Sequence, residues 1–163
     1  MKTVLIILVL LIAGYYWYNH EKGPAANKAP VATDPYYFEV RATNVIEGRE
    51  LEFALFARAL DERDCANATK AGWSSIAKAC PTCKQQAPKC SKELPPRYAR
   101  LFDDVPIPSA YLSGTAATER ERDIRVVLYG LTDQEGVVIC EAMRKELAKN
   151  FVGPTHCVKP SGG

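Results

Sequence analysis

The stretch Cys80-Pro81-Thr82-Cys83, followed by Cys90, places three of the chain's six cysteines within eleven positions. Three kinds of chemistry suit such a segment: a redox dithiol, a thiolate zinc site, or a share in a disulfide framework. The other cysteines are Cys65, Cys140 and Cys157. No second chemical constellation accompanies them. There are two histidines, His20 and His156. No nucleophile elbow, phosphate loop or metalloprotease motif is present. Asp103-Asp104, followed by Val-Pro-Ile-Pro, reads as a turn rather than a carboxylate pair. No catalytic residue, metal or cofactor is therefore assigned from the sequence.

Which cysteine chemistry applies depends on compartment. The first 18 residues, Met-Lys followed by an apolar run ending in Tyr15-Tyr16-Trp17-Tyr18, read as a membrane anchor with an interfacial aromatic belt. A cleaved signal peptide is the alternative, with Ile12-Ala13-Gly14 as an imperfect cleavage site. Both readings export everything after residue 20. The short anchor reads as bacterial, so the expected location is the inner membrane, single pass, with the domain in the periplasm. Residues 19–35 form a Pro/Ala-rich linker reaching about 50 Å at roughly 3.1 Å per residue. The expected domain spans 36–160, with a tail at 161–163. A net charge of +2 and a pI near 8.2 are too mild to suggest nucleic acid.

An oxidising compartment and an even cysteine count favour disulfides over zinc thiolates. The elements that carry the cysteines can be read from periodicity. Tyr36–Ile46 alternates as a strand with Phe38, Val40 and Ala42 on one face. After a Glu47-Gly48-Arg49 turn, a second strand places Leu51, Phe53, Leu55 and Ala57 on one face. Ala54 and Phe56 make its other face partly apolar, as in an interior strand. Asp61 caps a helix whose apolar side is Cys65, Ala68, Gly72 and Ile76, ending before Cys80-Pro81. Residues 80–108 read as a proline-punctuated insertion with a short helix near Pro96–Phe102. Two strands follow as a hairpin. The clearest helix opens with a Thr132/Glu135 capping box. It lines Gly136, Ile139, Cys140, Met143 and Leu147 on one face, with Glu141 placed to pair with Lys145. A last strand holds Cys157. No internal repeat stands out.

Without the first strand, the order is βαββαβ. That predicts an α+β, ferredoxin-like two-layer sandwich with an extra N-terminal strand and a disulfide-bonded insertion after the first helix. The extra strand is a difficulty, because the first core strand of that fold already has neighbours on both sides. Either the extra strand sits at an outer edge, or the strand order departs from the standard one.

On this frame Cys140 and Cys157 fall within reach. The helix runs on for roughly 13 Å at about 1.5 Å per residue, and the strand returns near 10 Å at about 3.3 Å per residue. For the other four, Cys65–Cys90 with Cys80–Cys83 is favoured, and Cys65–Cys83 with Cys80–Cys90 is the alternative. Cys65–Cys80 would lie some 20 Å apart along one helix, beyond disulfide reach. The redox reading has one resemblance to support it: Ile107-Pro108-Ser109-Ala110 resembles the Ile-Pro-Thr loop that faces the dithiol in thioredoxin-like folds. In that family the dithiol follows a strand, whereas here it follows a helix.

One segment reads as a binding surface. Lys84, Lys89, Lys92, Arg97 and Arg100 face Glu93 alone between residues 84 and 100, with Tyr98 interleaved. The layout of anchor, linker and terminal βαββαβ domain is similar to that of SPOR domain proteins, which bind peptidoglycan; the similarity is one of layout, without a shared sequence motif. The expected function is thus a membrane-tethered, disulfide-stabilised periplasmic domain of non-enzymatic binding or scaffolding type. Its partner would be an envelope protein or cell-wall ligand. The alternative is a thiol–disulfide oxidoreductase using Cys80 and Cys83.

Overall fold

The computed structural model describes residues 31–32 and 34–162. The expected anchor, and all of the linker before residue 31, lie outside them. The described chain forms β1 (Tyr36–Ile46), β2 (Arg49–Ala59), α1 (Glu62–Ala79), β3 (Lys84–Ser91), α2 (Pro96–Ala99) running into a 3-10 turn (Arg100–Asp103), β4 (Tyr111–Gly114), β5 (Ile124–Tyr129), α3 (Asp133–Leu147) and β6 (Thr155–Val158). It is an α+β protein with one six-stranded sheet in the order β3-β1-β2-β5-β4-β6, every neighbouring pair antiparallel.

Local signals account for most elements. Glu47 and Gly48 both take positive φ, 53° and 78°, the backbone that a two-residue hairpin turn requires. Asp61 Oδ1 accepts from Asp64 N at 2.7 Å and opens α1. Thr132 and Glu135 form the reciprocal capping box of α3. The buried face of α3 is Gly136, Ile139, Cys140, Met143 and Leu147, the stripe read from the sequence. The pairing expected of Glu141 with Lys145 is not present; Glu141 instead holds Arg144 at 2.8 Å, whose fork is the better carboxylate partner.

The strand order corrects the ferredoxin-like expectation. In that fold the last strand lies beside the first core strand. Here β1 takes that place by an eleven-residue hairpin with β2, and β6 pairs on the far side of β4. A continuous hairpin closes at low entropic cost, so it occupies the contested edge first. The insertion reading is corrected too: Lys84–Ser91 is a strand, antiparallel to β1. Its polar composition and Pro88 hide it. Pro88 is tolerated because β3 is an edge strand, with a bulge between its Gln86 and Lys89 pairings.

The resulting architecture is a repeat that no sequence pattern announced. The elements β1-β2-α1-β3 and β4-β5-α3-β6 are two ββαβ units, each with its third strand beside its first, joined through β2 and β5. Each unit carries its own helix-to-strand disulfide, Cys65–Cys90 in one and Cys140–Cys157 in the other. The strand cysteines sit at matching places: Cys90 pairs across from Phe38 and Cys157 from Leu112, both 0 % exposed. Matching Phe38 with Leu112 makes Ala57 equivalent to Val126, and the approximate twofold then passes through the Phe56–Arg125 pair.

Both helices pack on one face of the sheet. There Phe38, Val40, Phe53, Leu55, Leu112 and Val126 meet Cys65, Cys140, Met143 and Leu147. Each large apolar side chain buried there contributes about 1.5–3 kcal/mol. The second face is crossed by residues 92–110, whose Leu94, Tyr98 and Leu101 cover Phe56, Val127, Tyr111 and Val158. This strap belongs to neither unit and breaks their symmetry.

Three ion pairs among the described residues tie the units together: Arg49–Glu135, Arg58–Asp123 and Arg122–Asp64. Arg49, beside the β1–β2 turn, grips Glu135 of the α3 cap at 2.8 and 3.0 Å. That bond, followed by the Thr132 contacts, pulls the Glu135 carboxyl down to about 2. A depressed carboxyl stabilises the fold at pH values above its unfolded pKa, and the contribution is lost as pH falls through about 2. Replacing Arg49 by glutamine is therefore expected to return the Glu135 titration toward its ordinary range, read by NMR. An unchanged titration would assign the shift to the Thr132 cap alone.

Candidate functional site

The strand alternation that puts Phe38, Val40 and Ala42 under the helices puts Glu39 and Arg41 on the opposite face. Through register, Lys89 opposite Glu39 and Lys84 opposite Thr43 share that face. Arg41 lies at its centre, with Glu39 at 2.6 Å and Glu52 in direct contact. Burial works against the Arg41 charge, but the bonds to Glu39 and Glu52 outweigh it and hold the guanidinium above its ordinary range.

The strap builds a groove over this triad. Pro96 starts α2 at a position where its missing N–H costs nothing. The short helix then turns Tyr98 inward. Its ring packs 4.8 Å from that of Phe56, and two cations stand over it, Arg41 at 4.6 Å and Arg97 at 4.4 Å. Arg97, Arg100, Ile107, Pro108 and Tyr129 complete the groove's lining, and the open groove has a volume of about 550 Å³. Burial raises the Tyr129 phenol, so it stays protonated at neutral pH. The guanidinium groups of Arg97 and Arg100 have no ion-pair or hydrogen-bond partner among the described residues, and both residues are exposed.

Of the cationic segment singled out in the sequence, Arg97, Tyr98 and Arg100 meet in the groove. Lys84 stands on the neighbouring strand and Lys89 nearer the strap's start. Lys92 is elsewhere: it pairs with Asp34 at 2.8 Å and lies over the Tyr36 ring, tying down the chain just before β1. Arg41, Glu52 and Tyr129 come from strands far away in sequence. The signal that could find them is the outward alternation of Glu39 and Arg41 on β1 and of Glu52 on β2.

The strap is held by a buried arginine. Arg125, 3 % exposed, donates to the carbonyls of Leu101 (2.7 Å), Phe102 (3.2 Å), Gly114 (3.0 Å) and Ile124 (2.8 Å). Burial pulls its pKa down, and the Asp104 carboxylate, 3.4 Å from Nε, opposes that pull. Asp104 closes the 3-10 turn in the left-handed region and reaches His156 of edge strand β6 at 3.2 Å. The Tyr111 hydroxyl donates to Val105 O at 3.0 Å, and burial pushes its pKa up to about 12.

The cysteine segment lies apart. All six cysteines are in disulfides, the third being Cys80–Cys83, so none has a thiolate to offer a zinc ion. Cys80 is 1 % exposed and directly follows α1. Cys83 N donates to Cys80 O at 3.1 Å and closes a turn that leads into β3. No helix starts at Pro81. The nearest backbone charge is thus the negative end of α1, which disfavours a thiolate. Cys83 packs with the helix-side core, whereas Ile107 and Pro108 line the groove on the other face. The dithiol and the Ile-Pro loop therefore do not face each other.

Comparison of the chain with protein-family models, with curated proteins and with solved structures found no match.

Proposed function

We propose that this chain is a non-enzymatic binding module of the bacterial periplasm, tethered to the inner membrane through residues 1–18, with the second-face groove as its binding site. The observation that carries this reading is the pair Arg97 and Arg100, two guanidinium groups without an ion-pair or hydrogen-bond partner among the described residues, lining a groove in which Arg41 is already held by Glu39 and Glu52. Free cations held beside buried aromatics suit an anionic partner. Among the described residues no helix is long and apolar enough to cross a membrane; the anchor is assigned to residues before them. The sheet order removes the βαββαβ part of the similarity to SPOR domain proteins, so peptidoglycan is not favoured over other envelope partners.

The test uses the full-length chain in a bacterial envelope. The protein is expected in the membrane fraction, with its domain cleaved by protease added to spheroplasts. An envelope component retained by the wild type should be lost by the Arg97→Ala/Arg100→Ala double variant. A soluble form beginning after residue 14 would overturn the tether. The oxidoreductase alternative is checked in parallel by Cys80→Ser/Cys83→Ser, expected to lower yield or stability only. A normally folded double variant that loses an insulin-reduction activity of the wild type would replace the binding reading with the enzymatic one.

A further inference from the structure

We propose that the ligand of this groove is a peptide carboxylate: a short segment of a partner protein presenting one carboxylate to Arg97 and Arg100 and an apolar side chain to Ile107 and Pro108. This rests on the binding reading above and narrows it to one ligand chemistry.

The first ground is the state of the arginines. Arg97 stands over the Tyr98 ring, at 4.4 Å, and a contact through the ring spends none of its N–H donors. Those donors are free of protein partners among the described residues, and a guanidinium presents them as a planar fork that matches a carboxylate. Arg100 follows three residues later, one turn on, and so lies on the same side of the helical segment.

The second ground is charge. Arg41, Arg97 and Arg100 line the groove with Glu52 alone against them, and Lys84 and Lys89 share the sheet face with Glu39, so the lining is net positive. A carboxylate answers that charge; a phosphate monoester, nearly doubly charged at neutral pH, is the competing anion and is one of the probes.

The third ground separates peptide from carbohydrate. A sugar would need an open aromatic face. Tyr98 offers none: it is 7 % exposed, and its ring packs against Phe56 with Arg41 and Arg97 standing over it. Tyr129 is half-buried. The lining instead has an aliphatic part, Ile107 and Pro108, where Ser161 N donates to Ile107 O at 2.8 Å. A lining of that kind receives an aliphatic side chain next to the charged group. A volume of about 550 Å³ suits a short segment rather than a folded surface.

The experiment measures binding of labelled short peptides to the full-length oxidised protein in detergent. The probes are Gly-Ser-Gly-Ala-Leu-Val with a free C-terminus, its C-terminal amide, the amide with one internal Glu, the amide with one phosphoserine, and tetragalacturonate. At least one carboxylate peptide is expected to bind about tenfold tighter than the plain amide, the worth of one charge-assisted bond. The free-terminus and Glu probes distinguish the two sources of the carboxylate. Arg97→Gln with Arg100→Gln should erase the preference, and Arg97→Lys should not restore it, because an ammonium forms no fork. Equal binding of amide and carboxylate peptides overturns the proposal, as does a preference for phosphoserine or for tetragalacturonate. If no probe binds while an envelope component is still retained through Arg97 and Arg100, the peptide ligand is wrong and the binding reading stands. If the double variant retains that component as the wild type does, both fail.

Discussion

Glu121→Ala is expected to be among the most damaging single substitutions in the domain, lowering stability by about 3–5 kcal/mol. Glu121 is 6 % exposed and sits in the β4–β5 loop. One carboxylate oxygen accepts from Ala117 N at 2.8 Å and Thr118 N at 3.1 Å; the other accepts from Val152 N and Gly153 N. Four backbone donors from two distant loops thus converge on one side chain. Removing it leaves the Thr118 and Gly153 donors buried without acceptors, the costly side of the hydrogen-bond asymmetry. The two loops are closely packed there, since a Cβ on Gly153 would stand 1.9 Å from Thr115 O. Glu121→Gln should be nearly as harmful, because its amide would put donors against the N–H groups of one loop. Chemical denaturation of the oxidised protein measures both. A glutamine variant within about 1 kcal/mol of wild type would show that one oxygen suffices and that the loops are held by their other contacts.

Arg125→Met is expected to cost on the order of 3 kcal/mol or more and to remove groove binding at the same time. Methionine fills similar space, so the loss reports the guanidinium rather than a cavity. Four carbonyls lose their donor, and Asp104 loses its buried cation. Two of those carbonyls, Leu101 and Phe102, belong to the strap that carries Arg97, Tyr98 and Arg100. Release of the strap should therefore be visible as early hydrogen exchange over residues 94–105, ahead of the sheet. Ligand binding by a folded Arg125→Met protein, at wild-type strength, would mean that Tyr98 on Phe56 alone holds the groove in shape.

The groove was half legible. Arg97, Tyr98 and Arg100 stand close together in a segment nearly free of acids, and a charge count finds them. Arg41, Glu52 and Tyr129 are single polar or aromatic positions on three strands, each unremarkable in its own alternation. Only the pairings of β1 with β2 and of β2 with β5 bring them to one place. Lys92 shows the converse: near in sequence, it is carried to the mouth of the domain by the end of β3.

By itself the sequence determined what short-range physics can determine. Periodicity placed the helices and most strands, the Thr132/Glu135 box marked where α3 starts, and an even set of cysteines on an exported-looking chain pointed to disulfide bonds. These signals live within a turn or two of the backbone. The tertiary structure decided which strand neighbours which. The β1 hairpin and the last strand compete for one edge of β2, and their alternation patterns are compatible with either outcome. The polar, proline-bearing β3 becomes a strand only because β1 offers an open edge beside it. The paired ββαβ architecture follows from those pairings, while unequal strand lengths and loops, two residues between β1 and β2 against nine between β4 and β5, conceal it in the sequence. A sheet is assembled by hydrogen bonds between distant segments, and no local property of a segment names its partner.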